Sequence, residues 1–199
     1  MIKKPMNWEN VQEFGERKAL PLGAYVCKVK QVRVQDNTYG SQLALLFDVV
    51  EGEYAGFYNQ DFAANSDPNK KWKGLLRVWL PKNDGSEKDE ITKRVFKGFI
   101  IAFERSNPGY TAFVGDSMNE NSLVGKTIGI MYRNEEWEYE GKHGWAVRPF
   151  RAISADTVRE GNYTLPKDKP LKNGSSATVA PANVPAGYTE VDTEELPWD

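Results

Sequence analysis

"GAYVCKVKQVRVQ" (23–35) alternates apolar and polar residues, but its phase changes part-way. Tyr25, Cys27 and Val29 share one parity, whereas Val32 and Val34 have the other. Side chains alternate strictly along a strand, so a parity change within one strand predicts a β-bulge. A bulge adds twist and lets a long strand coil from one sheet neighbour to the next, as in a barrel. "DNTYGS" (36–41) follows as a turn, by its Asp, Asn and Gly. "QLALLFDVVEG" (42–52) places Leu43, Leu45, Phe47 and Val49 on one face and reads as a strand paired with the first. "GFYNQDFAA" (56–64) reads as a third strand, with Tyr58 and Phe62 on one side and Phe57 on the other.

The stretch "NSDPNKKWKGLLRVWLPKNDG" (65–85) has Trp72, Leu75, Leu76 and Trp79 at helical spacing. Gly74 within it and Pro81 after it favour an extended segment between loops. "SEKDEITKRVFKGFIIAFERSNPG" (86–109) is the clear helix. Ile91, Val95, Phe96, Phe99, Ile100 and Phe103 form its apolar stripe, Asp89 and Glu90 lie near its start, and "SNPG" stops it. "LVGKTIGIMYRNEEWEYEGKHGWAVRPFRAIS" (123–154) reads as a long hairpin with "EGKHG" at the tip. The expectation is a mainly β chain, an OB-fold-like five-stranded barrel with one α-helix between strands three and four.

Composition changes near residue 165, where "LPKDKPLKNGSSATVAPANVPAGYTE" is rich in Pro, Gly, Ser and Ala without apolar periodicity. Residues 1–164 are therefore expected to hold the domain and an N-terminal extension, and 165–199 a disordered C-terminal tail: flexible linker and acidic tip. The net charge of −2 conceals an asymmetry. The last ten residues carry five acids and no Lys or Arg, which leaves 26 basic against 23 acidic side chains before them, a net of +3.

No apolar run approaches twenty residues, so no transmembrane helix is expected. The N-terminus has no apolar stretch after its lysines, which argues against a signal peptide. With a lone cysteine, Cys27, inside a strand, this points to a reducing cytoplasm. The single histidine, His143, has no Cys or second His nearby, and no Walker loop, GxSxG, GxGxxG or HExxH motif occurs. The pairs Asp89-Glu90 and Glu135-Glu136 read more simply as a helix start and a solvated strand than as a metal site. A non-catalytic protein without cofactor or metal is expected.

Basic residues interleaved with aromatics are more informative. Lys70, Lys71, Lys73 and Arg77 surround Trp72 and Trp79. The hairpin carries Arg133, Trp137, Tyr139, Lys142, Trp145, Arg148 and Arg151, and the first strand and its turn add Lys28, Lys30, Arg33 and Tyr39. Cations that follow phosphates and aromatic faces that stack bases are the two parts of a single-strand binding groove. The residues expected to form it are Lys28, Lys30, Arg33, Tyr39, Tyr58, Phe62, Lys71, Trp72, Lys73, Arg77, Trp137, Trp145 and Arg148. The bland alternative for each aromatic is core packing, and for each lysine a solvated edge.

"LPLGAYVCKVKQV" (20–32), "FKGFIIAFERSNPGY" (96–110), "LVGKTIGIMYRNEEWEY" (123–139) and "VREGNYTLPKDKPL" (158–171) resemble a family of small phage and prophage proteins from Gram-positive hosts. Its members are encoded beside replication and recombination genes, and several are regarded as phage single-stranded DNA-binding proteins. The resemblance covers most of residues 8–171. It implies protection of single-stranded DNA in the host bacterial cytoplasm during phage replication or recombination.

The tip "TEELPWD" (193–199) is similar to the acidic tail of bacterial single-stranded DNA-binding proteins. Asp192, Glu194 and Glu195 match its acids, and Leu196, Pro197 and Trp198 its apolar anchor. That resemblance implies recruitment of replication or recombination proteins. The familiar pattern ends on the aromatic, whereas Asp199 follows here, so a phage-encoded partner is as good a candidate as a host one. The alternative is a protein–protein adaptor with little DNA affinity, which the weakly basic body would suit. Homo-oligomerisation is left open.

Overall fold

The computed structural model describes residues 3–6, 8 and 19–171. Its five strands are β1 (Ala24–Asn37), β2 (Gly40–Val49), β3 (Leu75–Trp79), β4 (Thr127–Tyr139) and β5 (Lys142–Ile153). They form one open antiparallel sheet in the order β3-β2-β1-β4-β5. β1 serves two partners: Ala24–Lys28 pairs with β4, and the stretch from Cys27 to Asn37 pairs with β2. The bulge read from the parity slip lies between Val29 and Gln31. It turns Cys27, Val29 and Val32 to the same side, where they meet Val49, Phe47 and Leu45 of β2 in the core.

The helix α2 (Glu87–Ser106) lies between β3 and β4 and packs on β3, β4 and β5. Phe99, Ile100, Ala102 and Phe103 are its buried stripe. Ser86 caps it by accepting the Asp89 N–H at 3.2 Å, satisfying a donor that the helix itself cannot. At the other end the Asn107 amide nitrogen donates to the carbonyls of Phe103 and Thr127, both at 2.8 Å. Its oxygen accepts the Thr127 N–H at 3.0 Å, so one side chain ends the helix and fixes the start of β4.

Among the described residues two further α-helices accompany it. Residues 56–64, expected as the third strand, instead form α1 (Phe57–Ala64); the third strand is Leu75–Trp79. The reason is tertiary. Gly56 takes a left-handed φ of 76°, and the buried carboxylate of Asp48 on β2 accepts the N–H groups of Tyr58 at 2.9 Å and Asn59 at 3.2 Å. A negative charge on the free donors of a helix start stabilises an otherwise marginal eight-residue helix. After β5 comes α3 (Ala155–Arg159), which packs on β1, β4 and α2.

Gly74 immediately precedes β3, where nothing larger fits: a Cβ there would lie 2.3 Å from the Phe47 carbonyl oxygen. The beginning of the expected linker is held in place. The Lys169 N–H donates to Asn134 O and its carbonyl accepts from Glu136 N, both at 2.9 Å, as a short parallel bridge on β4. Among the described residues, no helix is long and apolar enough to cross a membrane. Residues 172–199 lie outside the described residues, and with them the tip residues Asp192, Glu194, Glu195, Leu196, Pro197 and Trp198.

Candidate nucleic-acid interface

The register of β1, β2 and β3 determines which side chains share the outer side of this three-stranded face. Core positions align as Val32, Leu45 and Leu76; one row on, Leu43 and Val78 are buried, while Val34 toward the end of β1 is 46% exposed. The intervening rows point the other way: Gln31, Leu46, Leu75; then Arg33, Ala44, Arg77; then Gln35, Gln42, Trp79. Ala44 between them is only 7% exposed, and the two arginines stand two strand spacings apart, about 10 Å. With its amide oxygen turned toward Arg33, Gln31 accepts from Nη2 at 2.9 Å and Nε at 3.0 Å, which orients the guanidinium. Arg33 and Arg77 are exposed, as is Lys28 nearer the start of β1. Among the described residues none of the three forms an ion pair. Leu46, Leu75 and Trp79 are half-buried beside them. Tyr39, at the β1–β2 turn, is 77% exposed.

Sequence reading named Lys28, Arg33, Tyr39 and Arg77 but missed Ala44, Leu46 and Leu75. Their signal was present. "LALLF" (43–47) is apolar at both parities, which a strand covered on only one face does not need.

A second group gathers around α1. Trp72 donates its indole N–H to Phe47 O at 2.9 Å, lies 5.6 Å from the Phe62 ring, and carries Lys30 Nζ 4.5 Å from its own ring. Lys30 also approaches Asp48 at 3.6 Å, Lys73 pairs with Asp61 at 2.9 Å, and Lys70 sits 4.6 Å over Phe62. Trp72 and Phe62 thus pack the 65–74 segment onto α1, while Lys71 is exposed.

Tyr58 must be removed from the stacking set. It is on a helix and not a strand, it is 6% exposed, and its hydroxyl meets that of Tyr132 at 2.8 Å in the core. A base needs an open ring face, and Tyr58 has none. Burial pushes both phenols far above their ordinary pKa, so they stay protonated and exchange this one hydrogen bond. Burial likewise raises the Cys27 thiol well above its usual value, with Asp48 adding to the effect.

The hairpin tryptophans do not form one surface. Trp137 stands opposite Gly144 and lies over it; a Cβ on Gly144 would come within 3.1 Å of the indole. Covering a strand glycine with an aromatic is a packing device. Trp145 stands opposite Glu136 on the other face and is 45% exposed. Arg148 is exposed on the face of Trp137, directly opposite Arg133.

Compared with models of known protein families the chain matches none, and no curated protein matches it.

Proposed function

We propose that this chain binds single-stranded DNA without catalysing a reaction on it, and that the outer face of β1, β2 and β3 is the binding surface. The observation that carries the reading is the row Arg33–Ala44–Arg77 with its apolar neighbours Leu46, Leu75 and Trp79. Cations without ion partners beside half-buried apolar side chains on one face suit a strand whose phosphates and unstacked bases are both accessible.

The fold supports the same reading. The edge strands of the sheet are β3 and β5, they approach each other, and α2 enters between β3 and β4. An OB-fold has this order, and it binds oligonucleotides on strands two and three with the flanking one–two and four–five loops. Tyr39 occupies the first of these loops and the Trp137–Trp145 hairpin leads to the second. The resemblance to phage single-stranded DNA-binding proteins is in keeping with a role in a replication or recombination module of the host cytoplasm. The acids Asp192, Glu194 and Glu195 would then attract a basic partner protein, which buries Leu196, Pro197 and Trp198.

A tryptophan-fluorescence titration tests this with oligo-dT of about thirty nucleotides against duplex of equal length. The expected result is quenching that prefers the single strand, with affinity falling as salt rises, because bound cations release counterions. Absence of binding at low salt would remove the reading and leave the adaptor role in its place.

A further inference from the structure

The pair β4–β5 flanks β1 on the side away from β2, and its outer face carries an arrangement the fold alone does not explain. Arg133 and Arg148 stand directly opposite each other. Like charges in that relation oppose strand pairing. One step away, a register shift between Met131 and Tyr132 leaves Phe150 as the extra residue of β5. Two guanidiniums lie over its ring, Arg133 at 4.1 Å and Arg151 at 5.9 Å. Arg133 gives Nη2 to Glu135 at 2.7 Å, but its Nε is buried without a hydrogen-bond partner. Arg148 and Arg151 are exposed and form no ion pair among the described residues. Of these three guanidiniums, Arg133 alone has a carboxylate partner among the described residues.

We propose that Arg133 and Arg151 at Phe150, together with Arg148 opposite Arg133, are a second phosphate site. It takes the backbone of the same single strand beyond the nucleotides held on β1, β2 and β3, and so rests on the DNA-binding reading above. Contact with Phe150 positions the guanidiniums of Arg133 and Arg151, and guanidinium N–H groups suit bidentate contact with phosphate oxygens. Glu135 neutralises Arg133 only, so the ligand supplies the counter-charge for Arg148 and Arg151. A short oligonucleotide fills the first surface only; a long one reaches both.

The test uses the full chain, the variants Arg148→Glu and Arg151→Gln, and oligo-dT of about eight and about thirty nucleotides. Arg148→Glu puts a carboxylate opposite Arg133, so its melting temperature stays at or above that of the parent. Each variant is expected to bind the short oligonucleotide within twofold of the parent and the long one at least tenfold more weakly. The slope of log affinity against log salt for the long oligonucleotide should shrink by about 0.7 for each phosphate no longer neutralised. Unchanged binding of the long oligonucleotide overturns the second site, and so does equal weakening at both lengths. Failure of the parent to bind the short oligonucleotide strikes the first surface instead.

Discussion

At the scale of single residues, the structure separates aromatics that could meet a base from those that hold the protein together. Tyr58 and Tyr132 belong to the second kind. Their shared hydrogen bond of 2.8 Å joins α1 to β4 across the core. Replacing either by Phe leaves the other hydroxyl buried without a partner, at a cost of about 1–3 kcal/mol. Replacing both removes donor and acceptor together, so the double variant Tyr58→Phe/Tyr132→Phe should lose less stability than the two single losses added. Urea melts of the four proteins check this, and DNA affinity should stay within twofold in all of them. Additive losses would mean that the two hydroxyls are not coupled, and weakened DNA binding by Tyr58→Phe alone would return Tyr58 to the interface. The sequence could not make this distinction. Tyr58 and Tyr39 differ little as residues in a polar neighbourhood; a hydroxyl partner 74 positions away decides between them.

At the scale of elements, periodicity was legible wherever an element is long. The parity slip in β1 located the bulge, and the stripe from Ile91 to Phe103 located α2, because both patterns persist over several repeats. α1 was not legible. Eight residues give little periodicity, and the helix depends on Asp48, ten positions before Tyr58 and on another element. A similar device at the start of α2 gives a pH test. Burial alone would raise the Asp89 carboxyl, but the Lys82 N–H at 2.7 Å, the Lys93 ammonium at 3.2 Å and the Asn83 N–H hold it below the usual aspartate range. A carboxyl lowered by folding lends stability that is complete above its unfolded pKa of about 3.9. That stability drains away as pH falls through the lowered folded value. Asp89→Asn should therefore be less stable than the parent at pH 7, with the gap closing as melts are repeated toward pH 3. A gap independent of pH would mean that Asp89 acts through shape and not through charge.

At the scale of the whole molecule, the sheet order follows from β1 changing partner along its length, with β4 on its first part and β2 on its second. The mainly β class and the helix between β3 and β4 were readable in the chain. The candidate interface was readable only in part. Basic and aromatic residues could be named, but which of them share a face is set by register, and a shift of one residue reverses every assignment. Register brings Arg33 and Arg77 into one row on either side of Ala44, and turns Trp137 away from Trp145. The most direct test of that face compares two double variants of equal charge change, Arg33→Ala/Arg77→Ala and Arg94→Ala/Arg105→Ala, the second on the exposed side of α2. Affinity for oligo-dT should fall by about a hundredfold or more in the first, which removes two guanidiniums from the strand's phosphates, and its salt slope by about 1.4. The second should stay within about threefold of the parent, since exposed charges away from the strand are largely screened. Equal loss in both variants, or none in the first, would contradict the assignment of single-strand binding to the outer face of β1, β2 and β3.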